Sequence, residues 1–284
     1  MSLIRAALDE EDAVMAVRPD DIPRTTPRPD IVFVGWGAGI EDWRDSDEDR
    51  RLRATTATAM LLTRIHKALS FHDCPILVIA DKEDVEDAQS TTRFGSSGIL
   101  QTPIEPDRLK ETIAEKLKPV GKDSRIDARL VNPFAEAAVH VLKKMAKIEA
   151  TRNGILLKKD YRLLGEISAV LTVSGKSIEG AVGITFESEL ARQVVANAWD
   201  RPTNGLSLEE VNDGLGELVN VISGRATTSL SNEVGSNFTL SLPTIVTGFG
   251  NEISHRPGAP CLVIIFEALK NPFAVQIALS PPKD

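Results

Sequence analysis

The residues best suited to act on a partner group are a carboxylate and an amide, Glu217 and Asn220, in the run Val211-Asn-Asp-Gly-Leu-Gly-Glu-Leu-Val-Asn-Val-Ile-Ser-Gly224. At about 100° per helical residue, Val211, Leu215, Leu218, Val219 and Ile222 share roughly one third of the circumference, the stripe that packs on a core. Asp213, Glu217, Asn220 and Gly224 gather on the opposite side, where Glu217 and Asn220, three apart, are neighbours. A carboxylate accepts hydrogen bonds and pairs with cations. An amide donates and accepts but does not ionise, so general-base chemistry is not implied. On spacing alone the same face also reads as a solvated helix surface. Gly224 lowers helix stability by about 1 kcal/mol against alanine, and it would let another backbone come very close.

The elements around this helix define the C-terminal half. Ser207 before it, with Glu210 three residues on, forms a capping box, and the pattern predicts a helix over Ser207 to Gly224. Amphipathic helices are expected at Ala135–Ala150 and Ser188–Trp199. Strands are expected at Gly154–Leu157, Ile167–Val173, Gly180–Phe186, Phe238–Val246, Cys261–Leu269 and Ala274–Leu279, with a hairpin turn at Ser174-Gly-Lys-Ser177. This is an α+β layout, with helices covering a mostly antiparallel sheet.

The N-terminal half has a different rhythm. Residues 1–28 form an extended lead-in whose Pro-rich end suits neither helix nor central strand. Then strands at Ile31–Val34, Pro75–Ala80 and Gly98–Thr102 alternate with helices at Asp45–Leu69, Asp84–Phe94 and Glu105–Lys118. That order predicts an α/β domain over 29–119 with a parallel sheet. The irregular stretch 120–129 is the expected linker, leaving 130–284 for the second domain.

Composition narrows the function. A net charge of -8 argues against sequence-independent nucleic-acid binding, which needs clustered cations facing phosphate. No apolar run approaches the roughly 20 residues of a membrane span, and the acidic start is unlike a signal peptide, so the expected compartment is the cytoplasm. Cys74 and Cys261 each open an apolar run and read as buried thiols. His66, His72, His140 and His255 lack ligand spacing, so no resident metal or cofactor is expected. Gly35-Trp-Gly-Ala-Gly39 lacks the spacing of a dinucleotide-binding loop.

Asp213-x-x-x-Glu217-x-x-Asn220-x-x-x-Gly224 resembles the signature helix of the CheC/CheX/FliY phosphatases. Four further segments resemble CheX in the family's order. They are Val131-Asn-Pro-Phe134, Gly165 to Gly175, Ile178 to Phe186, and Leu240-Ser-Leu-Pro-Thr-Ile-Val-Thr-Gly248. The resemblance implies hydrolysis of the aspartyl-phosphate on a CheY-like receiver, with Asn220 orienting the water and Glu217 binding the receiver's active-site lysine. Asp213 and Gly224 would play supporting roles. It implies Mg2+ in the phosphorylated receiver rather than in this chain, and a homodimer.

The first half resembles the later part of a receiver domain of flavodoxin-like fold, incomplete and with its chemistry replaced. Gly35 stands where the phosphorylated aspartate is expected, Ala80 where a Thr or Ser switch is, and Thr102 where the lysine is. Asp9, Glu10 and Glu11 do not convincingly supply the acidic metal-binding pair. The resemblance implies a domain that cannot be phosphorylated and serves targeting or regulation. The competing reading is a non-enzymatic scaffold built from two binding modules; a metal-dependent hydrolase lacks a ligand cluster.

Overall fold

A computed structural model describes residues 29–38, 47–118, 128–158, 161–176, 178–235, 237–251 and 261–280. The lead-in 1–28 with Asp9, Glu10 and Glu11, the boundary stretch 119–127, Gly39, Ser177 and His255 lie outside the described residues. The chain divides into two compact units, Met1–Pro119 and Val120–Asp284.

In the first unit, β1 (Val32–Gly35), β2 (Ile76–Ala80) and β3 (Gly98–Gln101) form a parallel sheet in that order. Helices α1 (Asp47–Ala68), α2 (Val85–Gln89) and α3 (Pro106–Leu117) connect or follow the strands. Val34, Ile76 and Val78 pack with Ala54, Leu61, Leu62 and Ile65 of α1. Leu77 and Leu100 pack with Leu109 of α3. The single helix expected over Asp84–Phe94 is a short α2 between 3-10 turns at Lys82–Asp84 and Ser90–Phe94. The hydroxyls of Ser90, Thr91 and Thr92 donate to the carbonyls of Asp87, Ala88 and Gln89, three residues back, where local side-chain bonds compete with helical ones.

The second unit is built on an antiparallel sheet. Its strands are β4 (Ala150–Lys158), β5 (Ile167–Gly175), β6 (Glu179–Phe186), β7 (Phe238–Leu240), β8 (Thr244–Thr247), β9 (Cys261–Ala268) and β10 (Asn271–Ser280). The order is β4-β9-β10-β6-β5-β7, and β8 also pairs with β5. Alternate residues sort onto two faces. On one, Ile167, Ala169 and Leu171 of β5 stand opposite Phe186, Ile184 and Val182 of β6. These in turn meet Phe273, Val275 and Ile277 of β10. The Phe273 ring stacks between Phe186 and Phe266, at centroid distances of 5.4 and 5.0 Å.

Three helices, α4 (Ala128–Met145), α5 (Ser188–Ala198) and α6 (Leu208–Val234), contribute to the same apolar core. Phe134, Ala138 and Leu142, spaced by four, bury the inner face of α4. The other sheet face is polar at its centre and carries the segment 161–166. There Gln276 accepts from the Leu164 N–H at 3.1 Å and donates to the Arg162 carbonyl at 3.1 Å, and the buried Lys158 ammonium donates to that carbonyl at 2.7 Å.

Several boundaries differ from the sequence pattern for identifiable reasons. The first helix of this unit begins seven residues before Ala135 and ends at Met145, and β4 starts at Ala150, where that helix was expected to end. The strand expected over Phe238–Val246 is two, because Pro243 lies in the gap and has no N–H for the ladder. Both cysteines are free and buried, as expected.

Candidate functional site

The capping box fixes where α6 begins. Ser207 Oγ accepts from the Glu210 N–H at 3.1 Å, and the Glu210 carboxylate accepts from the Ser207 N–H at 2.8 Å. Arg201 donates to the same carboxylate at 2.6 Å and to the Gly205 carbonyl at 3.0 Å. The Ser207 N–H first, and the Arg201 guanidinium with it, hold the Glu210 carboxyl below its usual range. A carboxyl depressed in this way stabilises the fold above its ordinary titration range, and that contribution disappears as pH falls through the depressed value. Glu210→Gln should therefore flatten the loss of stability below about pH 4, read from urea unfolding midpoints across a pH series. Identical acid slopes in both proteins would rule the box out as their source.

The helix runs ten residues beyond Gly224, to Val234. Ala226 and Leu230 continue the buried stripe, so the apolar phase carries the helix past the glycine. Gly235 ends it in the left-handed region at φ 69°, its N–H donating to the Ser231 carbonyl at 2.9 Å.

Val211, Leu215, Leu218, Val219 and Ile222 are all buried, none more than 2% exposed. Asp213, Glu217 and Asn220 are exposed, and Gly224 is half-buried. The structure thus brings the four candidate residues together on the outer side of one helix. Val221, 44% exposed, adds an apolar group beside them, and Leu208, 57% exposed, adds another near the helix start. Sequence reasoning passed over both; the available signal was an aliphatic side chain on the polar side of an otherwise regular amphipathic helix. β7 and β8 pack beside α6, and Leu242 between those strands is 85% exposed.

The glycines of α6 differ in their surroundings. A Cβ on Gly214 would lie 2.5 Å from Val195 Cγ1 and 3.1 Å from the Trp199 ring, so α5 crosses α6 there at close range. A Cβ on Gly216 would make ordinary contact with Ile245, at 3.9 Å. A Cβ on Gly224 would meet nothing within 4 Å among the described residues. Within this unit the tight contact along α6 is at Gly214, against the side chains of Val195 and Trp199.

Glu217 and Asn220 lie on the exposed side of α6. A cavity of about 210 Å³ in this unit is lined by Leu163, Val170, Leu171, Thr172, Ser241, Thr244 and Val246, without Glu217 or Asn220. No group of three or more His, Cys, Asp or Glu suited to a metal occurs among the described residues. His66 Nε2 lies 3.0 Å from the Gly95 carbonyl. Among the described residues no helix is long and apolar enough to cross a membrane.

Residues 167–267, from the start of β5 into β9 and including all of α6, match the family model described as Chemotaxis phosphatase CheX. The chain carries a CheX domain. Its α+β architecture, helices against an antiparallel sheet, is the expected one. CheX from Vibrio vulnificus is similar at 32% identity over 53% of this chain and 99% of its own, with a TM-score of 0.47. CheX from Desulfovibrio desulfuricans is similar at 29% identity over 54% and 99%, with a TM-score of 0.47. CheX from Borrelia burgdorferi, solved in a CheX-CheY-BeF3-Mg2+ complex, is similar at 26% identity over 55% and 99%, with a TM-score of 0.45. No curated protein matches the chain.

In the first unit, Gly35, Ala80 and Thr102 gather at the carboxyl ends of the parallel strands. Gly35 ends β1 opposite Ile79, Ala80 ends β2 opposite Gln101, and Thr102 follows β3. The Thr102 N–H donates to the Ala80 carbonyl at 2.9 Å, and the Thr102 hydroxyl donates to the Asp81 carboxylate. This rim presents a hydroxyl and a carboxylate where the receiver resemblance calls for a lysine.

Proposed function

We propose that the CheX domain hydrolyses the aspartyl-phosphate of a CheY-like receiver, using Asn220 and Glu217 on the exposed face of α6. The observation that carries this reading is a carboxylate and an amide, three residues apart on the exposed face of one helix, within the residues that match the CheX model. That face is exposed, and in this reading a partner supplies the walls of the reaction site. A phosphorylated receiver supplies them, together with Mg2+ and a lysine that neutralise the phosphoryl charge; what hydrolysis there lacks is a water held in line.

In this reading the Asn220 amide orients that water. The water oxygen bonds to phosphorus as the bond from phosphorus to the aspartate oxygen breaks. The electron pair leaves with the partner's carboxylate, and the water's protons end on the inorganic phosphate released. Glu217 accepts hydrogen bonds from the partner's lysine and sets the register of docking. Asp213 supports this face. The chain acts as a homodimer in the cytoplasm, and the first unit is a degenerate receiver serving targeting or access, with Gly35, Ala80 and Thr102 unable to carry phosphoryl chemistry.

The test follows phosphate loss from a panel of receivers phosphorylated with phosphoramidate in Mg2+, with and without the full chain. Acceleration by the wild type is expected. Glu217→Gln should weaken binding to a BeF3-activated receiver about tenfold and reduce its salt dependence, because a neutral amide replaces one member of an ion pair. Binding without acceleration across the panel would replace the enzyme with a scaffold.

A further inference from the structure

We infer that Gly224 is the contact point at which the rim of the receiver's phosphoaspartate site presses onto α6, and that its missing side chain sets how closely Asn220 reaches the reacting phosphorus. The inference rests on the phosphatase reading and extends it to a positioning residue.

A glycine in a helix interior lowers stability by about 1 kcal/mol against alanine, so it needs a compensating reason. Gly214 has one, since a Cβ there would collide with Val195. At Gly224 a Cβ would meet nothing within 4 Å among the described residues. The residue does not end the helix, which continues to Val234, and its carbonyl accepts from Thr228 Oγ1 at 2.8 Å. Among the described residues, neither packing nor capping requires a glycine here.

Its position supplies the external reason. Gly224 lies one turn beyond Asn220, about 6 Å along the axis, and near the middle of the exposed face. For the amide to hold a water in line with phosphorus, the helix must settle to within hydrogen-bond distance of a recessed group. The next turn on the same face then meets the rim of that recess. A methyl group there holds the helix off by about 1–2 Å, and a misplacement of about 1 Å is enough to remove roughly 100-fold in rate. Val221, exposed between Asn220 and Gly224, extends the same contact with an apolar side chain.

The experiment compares the full-length wild type with Gly224→Ala, Gly224→Leu and Asn220→Ala. Three quantities are read: dephosphorylation of a CheY-type receiver labelled with phosphoramidate in Mg2+, binding to its BeF3-activated form, and thermal unfolding. Gly224→Ala should raise the unfolding midpoint by about 2–4 °C. It should lower kcat by at least tenfold while raising KM less, because the methyl group displaces the amide without abolishing the contact. Gly224→Leu should also lose binding. An active wild type, an inactive Asn220→Ala and fully active Gly224 variants would overturn this inference alone. An inactive wild type would overturn it together with the phosphatase reading. A changed oligomeric state in Gly224→Leu, with dephosphorylation intact, would overturn it by seating a second copy of the chain on this face.

Discussion

Asn220→Ala should slow receiver dephosphorylation by about 100-fold or more while leaving binding to the BeF3-activated receiver within a few-fold of the wild type. The side chain is exposed, so its removal leaves no buried cavity. Alanine also has the higher helix propensity, so the unfolding midpoint should stay level or rise slightly. A loss of about 100-fold corresponds to about 2.7 kcal/mol of transition-state stabilisation, reasonable for one orienting group acting on a water already beside an activated phosphoryl. Asn220→Asp separates the roles further. It keeps the size but replaces the amide donor with a charge facing phosphoryl oxygens, so it should be no more active than alanine. An aspartate variant faster than the wild type would mean that this position accepts a proton, and orientation by an amide would have to be abandoned.

The second large effect concerns stability. Gly180→Ala should unfold the C-terminal unit or destabilise it by about 3 kcal/mol or more. Gly180 lies in β6 between Val173 of β5 and Leu279 of β10, at φ 158°. A Cβ there would sit 2.0 Å from the Ala278 carbonyl oxygen, well inside van der Waals contact. That oxygen belongs to the backbone of a strand held on both sides, so no rotamer change relieves the clash. Circular dichroism of the purified variant, with urea unfolding, measures the effect. A wild-type midpoint would show that β10 can move aside, and that the sheet is far softer than its pairing suggests. Gly214→Ala should be milder, because its neighbours are the tips of Val195 and the edge of Trp199 and alanine favours the helix.

The candidate face was legible in the sequence because it rests on the simplest periodic signal. Five apolar residues from Val211 to Ile222 fix the inward direction of α6, and Glu217 and Asn220 then point outward by geometry. The capping box was legible for the same reason, being a local pattern of two side chains. The length of α6 was obscured by Gly224, whose breaking tendency is weaker than the burial of Ala226 and Leu230 beyond it. The split between β7 and β8 turns on Pro243, which only matters once both segments are known to pair with β5. The exposure of Leu242 was not legible, since an isolated aliphatic residue reads as core until the packing around it is known. The crowding at Gly165, Gly180 and Gly214 was not legible, because it involves residues distant in sequence, which local patterns do not reveal.

The exposure of the α6 face also bears on how a catalytic cycle would end. With Glu217 and Asn220 on an exposed helix face, the freed inorganic phosphate would meet solvent as soon as the partner withdraws. Product inhibition by phosphate should be correspondingly weak, and the tempo of repeated turnover would be governed by how quickly the two proteins separate.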